Sequence, residues 1–299
     1  MRKNALKEIW NRGDAVINGW CSIPSSFSAE IMAHQDFDSI TIDMQHGLVG
    51  YQVATTMLQA ISTTAVVPMT RVPSNDPGFI MKMLDAGSYG VICPMIQNPD
   101  DAEKLVAACR YPPRGVRSFG PVRAKYYGGG ATHGGGDYHH YAEDETLVIP
   151  QIETQEAVAN LDEILQVPGI SAIYIGPSDL SMAFGKEPRK GQRDPEIVEA
   201  KRKILHAAKR HGIPAGIHTN SREVAIQMIR DGFQLTSLQS DDRFLMKTAK
   251  EEVAAVRQGI GLAVGEAPSA TDEAGTPAVS RAGERVDATK KTAGEARVR

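Results

Sequence analysis

The sequence contains few cysteines and carries little net charge, and each shortage excludes a class of protein. Its three cysteines, Cys21, Cys93 and Cys109, lie far apart without a CxxC pair. We therefore expect buried free thiols in a reducing compartment rather than a disulfide framework. The 33 basic and 36 acidic residues give a net charge of -3, so no large basic field exists to attract a phosphate backbone. We expect no nucleic-acid partner.

Long apolar runs are also missing. No stretch approaches the roughly 18 apolar residues that a membrane span needs. The first residues, MRKNALKEIWNRGD, are polar and amphipathic, without an apolar stretch of signal-peptide length. These shortages predict a cytoplasmic protein without a membrane partner.

What the sequence does contain is a regular alternation of two patterns. Short runs rich in Val and Ile are separated by longer segments whose apolar residues recur at helical spacing, which is typical of βαβ units. Eight such units predict a single (β/α)₈ barrel, the TIM-barrel fold, which typically takes about 250 residues. A doubly wound sheet is the alternative if one strand is miscounted. The predicted strands are residues 16–23, 39–44, 66–72, 90–95, 147–153, 172–177, 213–219 and 234–240.

Two segments depart from this alternation. Residues 114–146 form a glycine-rich insertion between the fourth and fifth predicted strands, and we expect it on the rim of the barrel that carries the acidic residues described next. From Gly261 onward, Ala, Gly, Glu, Thr, Pro and Ser dominate, so little apolar surface offsets the entropy of ordering. We predict a barrel domain over residues 1–260 and a flexible tail over residues 261–299.

Five residues suited to chemistry follow or end apolar runs. Asp43 and His46 close SITIDMQHG, Arg71 closes VVPMTRV, Glu153 closes LVIPQIET, and Asp179 follows AIYIGPSD. In a parallel barrel, the carboxyl ends of all strands meet at one rim, and barrel enzymes place their active sites there. The five residues therefore predict an active site at this rim.

Glu153 and Asp179 are hard oxygen donors at neighbouring strand ends, without cysteine or histidine at zinc-site spacing nearby. Two carboxylates with waters and a chelating substrate suit an octahedral Mg²⁺ or Mn²⁺ better than a tetrahedral Zn²⁺. Two structural alternatives stay open. Asp179 is equally placed to cap a short helix, and Glu153 to be a solvated acid at the start of the next helix.

His46 stands three residues after Asp43. An aspartate that accepts a hydrogen bond from one ring nitrogen of a histidine leaves the other nitrogen free as a base; the alternative is a structural loop histidine. The guanidinium of Arg71 matches a carboxylate or an enolate oxygen, and its alternative is an ion pair with a nearby acid. His218 ends the seventh strand, where it either shapes the pocket or is structural.

The run IGPSDL, residues 175–180, offers backbone N–H groups at the start of a short helix. Such groups can bind a substrate carboxylate, and Gly176 permits a close approach to the backbone there.

Several motifs occur in order along the chain: FDSITIDMQHGLV, MTRVPSNDP, GVICPMIQNPDDAEKLVAACRYPPRGVRS, VIPQIETQEAVANLDEIL and IYIGPSDLSMAFG. Together they resemble the metal-dependent class II pyruvate aldolases of the 4-hydroxy-2-oxoheptanedioate aldolase and 2-dehydro-3-deoxyglucarate aldolase family, over roughly residues 15–255. The resemblance implies a (β/α)₈ barrel of the phosphoenolpyruvate/pyruvate superfamily type, usually hexameric. It implies reversible cleavage of a 4-hydroxy-2-oxo acid into pyruvate, or a close analogue, and an aldehyde through a metal-bound enolate, in aromatic or sugar-acid catabolism.

The resemblance also assigns roles to residues and implies Mg²⁺, Mn²⁺ or Co²⁺ as the cofactor. The implied metal ligands are Glu153 and Asp179; the implied catalytic residues are His46 with Asp43, and Arg71; the implied substrate contacts are Arg71, Gln151, Gly176 and Ser178. The sequence departs from the family pattern at Gln45, where a glutamate is common, and at His218, where the residue is often apolar. We expect His218 and residues 125–146 of the insertion, which carry extra tyrosines and histidines, to alter the aldehyde side of the pocket.

Three other functions remain open at this point. A related lyase acting on an acyl-CoA or citramalyl-type thioester would need a basic cluster for the CoA phosphates, and none is evident. A Schiff-base aldolase needs a lysine inside the barrel, and none of the eight predicted strands contains one. A barrel that binds a keto acid or a metal without turnover is the third alternative, which the uncharged Gln45 raises.

Overall fold

The computed structural model describes residues 3–128 and 138–262. Each of the eight predicted strands is found within its predicted range. The strands are β1 (Val16–Cys21), β2 (Ser39–Asp43), β3 (Val67–Arg71), β4 (Gly90–Cys93), β5 (Leu147–Pro150), β6 (Ile173–Ile175), β7 (Ala215–Ile217) and β8 (Leu235–Ser240). The helices are α1 (Ala5–Asn11), α2 (Ser26–Ala33), α3 (Tyr51–Ile61), α4 (Pro77–Ala86), α5 (Pro99–Cys109), α6 (Tyr138–Glu145), α7 (Gln155–Ala159), α8 (Leu161–Leu165), α9 (Pro177–Ala183), α10 (Pro195–Arg210), α11 (Arg222–Asp231) and α12 (Asp241–Gly259).

The strands form one parallel sheet that curls into a nearly closed barrel. Their order is β5-β4-β3-β2-β1-β8-β7-β6, and every pair within it is parallel. The two edge strands meet through a parallel bridge between Gln151 and Tyr174, where the amide of Ile152 donates to the carbonyl of Tyr174 at 2.8 Å. The predicted (β/α)₈ barrel is therefore confirmed.

Alternation along the strands decides which side chains enter the barrel. Successive side chains of a strand point to opposite faces, so Arg71 lies on the same face of β3 as Val67 and Met69. Val67 and Met69 are fully buried in the cluster that fills the barrel. The strand pattern thus carries Arg71 into the mouth of the barrel. The other members of this cluster are Leu6, Val16, Trp20, Tyr89, Ile92, Leu147, Ile149, Ala172, Tyr174 and Leu235.

Helix α1 lies at the amino-terminal end of the barrel. Leu6 joins the interior cluster, and the side-chain Nδ2 of Asn4 donates to the carbonyls of Tyr89 (3.3 Å) and Glu145 (2.9 Å). The indole of Trp10 donates to the carbonyl of Gln234 at 2.8 Å. These contacts are made at the starts of strands, so α1 closes the end of the barrel opposite the carboxyl rim.

The described residues of the glycine-rich insertion, 114–128 and 138–146, lie at the amino-terminal end of the barrel, so their predicted place on the acidic rim is wrong. The insertion begins after α5 and ends where β5 begins. In a parallel barrel, the helix after a strand returns the chain from the carboxyl end of the barrel to the amino-terminal end. Arg123 donates to the carbonyls of Ala86 (2.6 Å) and Leu58 (3.3 Å) near the ends of α4 and α3, and Arg117 pairs with Asp85 at 2.7 Å. Residues 129–137 of the insertion lie outside the described residues.

The chain divides into two units, residues 1–247 and 248–299. The second unit is described as far as Leu262, so the predicted tail lies almost entirely outside the described residues and its boundary stays a prediction. Across residues 3–128 and 138–262, no helix combines the length and apolar character that a membrane crossing requires. The three cysteines are buried free thiols, as predicted.

Candidate active site

Four strands deliver the predicted site residues to the carboxyl rim. Asp43 and Arg71 are the last residues of β2 and β3 and are direct partners in the ladder. Glu153 follows β5 by three residues, and Asp179 lies in the first turn of α9, which follows β6. The four residues therefore lie at the same rim, as the sequence predicted, because each one ends or follows a parallel strand.

Asp43 and Arg71 form a buried, two-pronged ion pair. Arg71 donates from Nε to Oδ1 of Asp43 at 2.9 Å and from Nη2 to Oδ2 at 2.6 Å. Arg71 is 8% exposed and Asp43 is 2% exposed. Burial raises the pKa of Asp43, but the hydrogen bonds and charge of Arg71 outweigh it and hold that pKa below its usual value. Asp43 is therefore a fixed carboxylate at neutral pH.

Arg71 is thus ion-paired, as the structural alternative for this residue proposed, yet part of its guanidinium stays available. Its Nη1 makes no hydrogen bond to any residue in the described part of the chain. The group also lies over the Trp20 ring, 4.8 Å from its centroid, and the Trp20 indole donates to Asp43 Oδ2 at 3.2 Å. Asp43 holds one edge of the Arg71 guanidinium and Trp20 covers one face, so Arg71 presents the remaining Nη1 edge.

The structure replaces the expected contact between Asp43 and the His46 ring with a contact to the backbone. Oδ1 of Asp43 accepts hydrogen bonds from the amides of Gln45 (3.0 Å) and His46 (3.2 Å). A Cβ on Gly47 would collide with the carbonyl oxygen of Asp43, so only glycine lets the chain turn back this tightly. The His46 side chain is exposed, and no ring hydrogen bond joins it to a residue of the described segments.

Glu153 is a buried acid, which rules out the alternative of a solvated one. It is 1% exposed; its Oε1 accepts from the amide of Met95 at 3.0 Å, and its Oε2 accepts from Nε2 of Gln151. Burial raises the pKa of Glu153, the two hydrogen bonds partly oppose that effect, and the negative charge of Asp179 adds to it. Met95 adopts the left-handed backbone region, with φ at 58°, which non-glycine residues rarely occupy.

Gly176 is required by the packing of Glu153. A Cβ at this position would lie 2.6 Å from Nε2 of Gln151 and closer still to Oε2 of Glu153. Glycine is needed here for lack of space and not for its backbone conformation, since φ is -91°, which any residue can adopt. The glycine therefore admits the buried acid to the start of α9.

Asp179 does not cap α9. The N-cap residue is Gly176, without a side-chain capping bond, and Asp179 is half-buried in the first turn. Its carboxylate makes no hydrogen bond to a residue of 3–128 or 138–262. Ser178 is also half-buried, and its hydroxyl accepts from Nε2 of Gln192 at 3.1 Å.

The residues around Glu153 fit a divalent cation. Oε1 of Gln151 is buried without a hydrogen-bond partner, and Glu153 is a buried acid beside Asp179. An unpartnered amide oxygen and a buried acid are costly unless a cation or another partner satisfies them. No group of three His, Cys, Asp or Glu side chains among the described residues is arranged to hold a metal. The site therefore offers two carboxylates, a set of hard oxygen donors that suits Mg²⁺ or Mn²⁺.

Sequence reasoning missed the aromatic layer beneath the site. Trp20 and Tyr174 stack with centroids 5.9 Å apart, and His218 meets the Trp20 ring edge-on at 4.9 Å. Trp20 and Tyr174 lie inside predicted strands, so a search for large side chains near inward-facing strand ends would have found them. No comparable local signal marks Met95.

A cavity of about 1050 Å³ lies elsewhere. It is lined by residues at the starts of strands and the ends of helices, among them Trp10, Arg110, Leu147, Lys209 and Phe233. None of the predicted site residues lines it. The chemistry-bearing residues and this cavity thus occupy opposite ends of the barrel.

The fold and the rim define a (β/α)₈-barrel protein with a buried acid, a second carboxylate and an arginine at its carboxyl end. The chain belongs to the HpcH/HpaI aldolase/citrate lyase family, whose model matches residues 20–247. The predicted family is therefore confirmed.

Relatives and a solved structure agree with this assignment. The chain is 36% identical over 255 residues to a hydroxypyruvate/pyruvate aldolase of Rhizorhabdus wittichii, covering 85% of this chain and 99% of that protein. It is 35% identical over 260 residues to a 4-hydroxy-2-oxo-heptane-1,7-dioate aldolase of Salmonella typhimurium, covering 86% and 95%. The structure of a family protein from Burkholderia cenocepacia matches with a TM-score of 0.79 and 29% identity, covering 85% of this chain and all of that one.

Proposed function

We propose that the chain is a divalent-metal-dependent aldolase that reversibly cleaves a 4-hydroxy-2-oxo acid into pyruvate, or a close analogue, and an aldehyde. The observation that carries the proposal is the buried Glu153 beside Asp179, on the same rim as the free edge of Arg71. The names of the two aldolase relatives support the reaction class.

Glu153 and Asp179 would hold the metal. When bound, a divalent cation supplies a Lewis acid for the 2-oxo group and neutralises the charge that develops there. Gln151 and the amide of Met95 keep Glu153 in place through hydrogen bonds. Gly176 leaves the space that this arrangement needs.

Arg71 would bind the 2-oxo acid through its free Nη1 edge. A guanidinium matches an oxyanion both in charge and in hydrogen-bond geometry, and the Asp43 carboxylate fixes its orientation. Because these donors are held before substrate arrives, they stabilise the enolate oxygen without reorganising. Asp43 is accordingly a positioning residue in this proposal.

His46 would take the proton of the 4-hydroxyl group as the carbon-carbon bond breaks. Histidine is the side chain that most often acts as a base in enzymes, and its ring here is exposed and free of other described partners. Asp43 holds the His46 backbone amide rather than the ring, so it sets the position of the loop. Ser178, in the first turn of α9, remains the proposed contact for the substrate carboxylate.

The proposal extends to the wider setting of the enzyme. The 2-oxo acid and the aldehyde are its small-molecule partners. A homo-oligomer of hexameric size and the choice among Mg²⁺, Mn²⁺ and Co²⁺ are proposed from the family resemblance. A cytoplasmic location is proposed from the free cysteines.

Replacing the two acids tests the metal site. We expect Glu153→Gln and Asp179→Asn each to weaken Mn²⁺ binding, measured by calorimetry, and to lower pyruvate release from a 4-hydroxy-2-oxo acid by at least about a hundredfold, since a metal Lewis acid is worth several kcal/mol. Asp162→Asn is the matched control, because this exposed acid pairs with Arg210 and His211 away from the rim. Metal binding and turnover that survive both site substitutions would contradict the proposal. Metal or keto-acid binding without turnover by the wild type would indicate a binding protein.

A further inference from the structure

His218 occupies a wall of the mouth of the barrel directly after β7. Its Nδ1 lies 3.2 Å from the hydroxyl of Ser237 on β8 and 3.4 Å from the hydroxyl of Tyr174 on β6. Its ring packs edge-on against Trp20 of β1. Three strands therefore fix one imidazole in one orientation.

The surroundings of Nδ1 indicate which nitrogen carries the proton. Both neighbouring groups are hydroxyls, and a buried hydroxyl needs an acceptor for its hydrogen. The Ser237 hydroxyl accepts from the amide of Thr219 at 2.9 Å, and Nδ1 at 3.2 Å is a nearer acceptor for its own hydrogen than the carbonyl of Thr219 at 3.4 Å. The tautomer that satisfies this arrangement has a lone pair on Nδ1 and a hydrogen on Nε2.

His218 is also uncharged at neutral pH. Burial, assisted by the positive charge of Arg71, lowers the pKa of His218 to about 4. A neutral imidazole with its hydrogen on Nε2 cannot remove a proton through that nitrogen. It can only donate a hydrogen bond.

The Nε2 donor faces accessible space. Nε2 makes no hydrogen bond to a residue of the described chain. It is not one of the buried polar atoms that lack a partner, so solvent can reach it. Both His218 and the guanidinium of Arg71 lie against the Trp20 ring. β7 pairs with β6, the strand that leads to Asp179. The donor therefore borders the part of the mouth where the proposed function places the 2-oxo acid.

We propose that His218 is a specificity-determining residue whose Nε2–H recognises a hydroxyl on the carbon next to the oxo group, so that the enzyme prefers 3-hydroxy-2-oxo acids over pyruvate as the three-carbon donor. A neutral donor adds little attraction for the carboxylate, which both compounds carry, but a hydroxyl oxygen can accept from it. With pyruvate bound, the N–H would lose water and gain no partner, which is a cost. This inference rests on the proposed aldolase function.

The test compares hydroxypyruvate and pyruvate as donors with one fixed aldehyde and Mg²⁺. We expect the wild type to have the higher kcat/KM with hydroxypyruvate. His218→Leu should lower the ratio of the two kcat/KM values about five- to tenfold, which is the worth of one neutral hydrogen bond. His218→Gln, whose amide can place an N–H near the original Nε2, should recover part of that ratio. His206→Leu, at an exposed histidine of α10, should leave it unchanged.

Calorimetry of the two keto acids with each Mg²⁺-loaded protein gives the corresponding ratio of dissociation constants. An equal hydroxypyruvate-to-pyruvate ratio in the wild type and His218→Leu would overturn the inference. A ratio for His218→Gln that is no higher than that for His218→Leu would also overturn it. If the wild type binds hydroxypyruvate selectively but turns over neither donor, the proposed function fails and the role of His218 stands. If it binds neither compound, both fail.

Discussion

At the scale of single residues, the buried ion pair between Asp43 and Arg71 is expected to contribute strongly to stability. Asp43→Ala leaves a buried guanidinium without its counterion, and losing one partner of a buried pair typically costs about 3–5 kcal/mol. Urea unfolding of the metal-free protein measures this change. Asp162→Ala, which removes an exposed partner of Arg210, should have little effect because solvent screens such pairs. Equal losses in the two variants would contradict the account of the site.

His218 gives a pH dependence whose sign follows from its low pKa. Burial and then the charge of Arg71 lower the pKa of His218 from 6.5 to about 4, so the unfolded chain binds a proton that the folded chain excludes between these values. The stabilisation is present above pH 6.5 and is lost as the pH falls toward 4. The free energy of unfolding of the wild type relative to His218→Gln should fall by about 1–2 kcal/mol from pH 7 to pH 5. A difference that stays constant would show that the histidine titrates normally.

At the scale of elements, the turn from β6 into α9 is the most constrained part of the site. Gly176→Ala should displace the Glu153 and Gln151 side chains, because a Cβ cannot share their space. We expect weaker Mn²⁺ binding and lower turnover, with the far-ultraviolet circular dichroism unchanged. Gly120→Ala is the matched control, since an added Cβ there meets nothing nearer than 3.9 Å. Unaltered metal affinity in Gly176→Ala would show that Glu153 is not a ligand.

The elements themselves were largely predictable, because their signals are local. Alternating Val- and Ile-rich runs located all eight strands, and the shared rim followed from parallel topology. The partner of Asp43 was not predictable in this way. Sequence spacing favoured the His46 ring three residues away, whereas the register of β2 against β3 places Arg71 directly opposite. Contacts set by register require the fold to be known first.

The insertion shows a second limit of the sequence. Its position between two strands suggested the acidic rim, but the helical segment α5 comes first and carries the chain to the other end of the barrel. The described parts of the insertion then pack near the ends of α3 and α4. These contacts place the described parts of the insertion away from the aldehyde side of the pocket, whereas His218 lies at the mouth of the barrel.

At the scale of the whole molecule, the barrel separates stability from chemistry. The amino-terminal end is closed by α1 and the described residues of the insertion, while the carboxyl end gathers three carboxylates, an arginine and two histidines. This division is general in (β/α)₈ enzymes, because the loops after the strands can vary without disturbing the packed interior. The family match and the geometry of the rim agree on an aldolase.

The central claim is that this rim cleaves a 4-hydroxy-2-oxo acid with the help of a divalent metal. The most direct measurement is the rate of pyruvate release by wild-type protein treated with EDTA, and then supplied with Mg²⁺ or Mn²⁺ in excess. The account predicts a loss of at least about a hundredfold on chelation and recovery when metal is restored. Turnover that chelation leaves unchanged would contradict it.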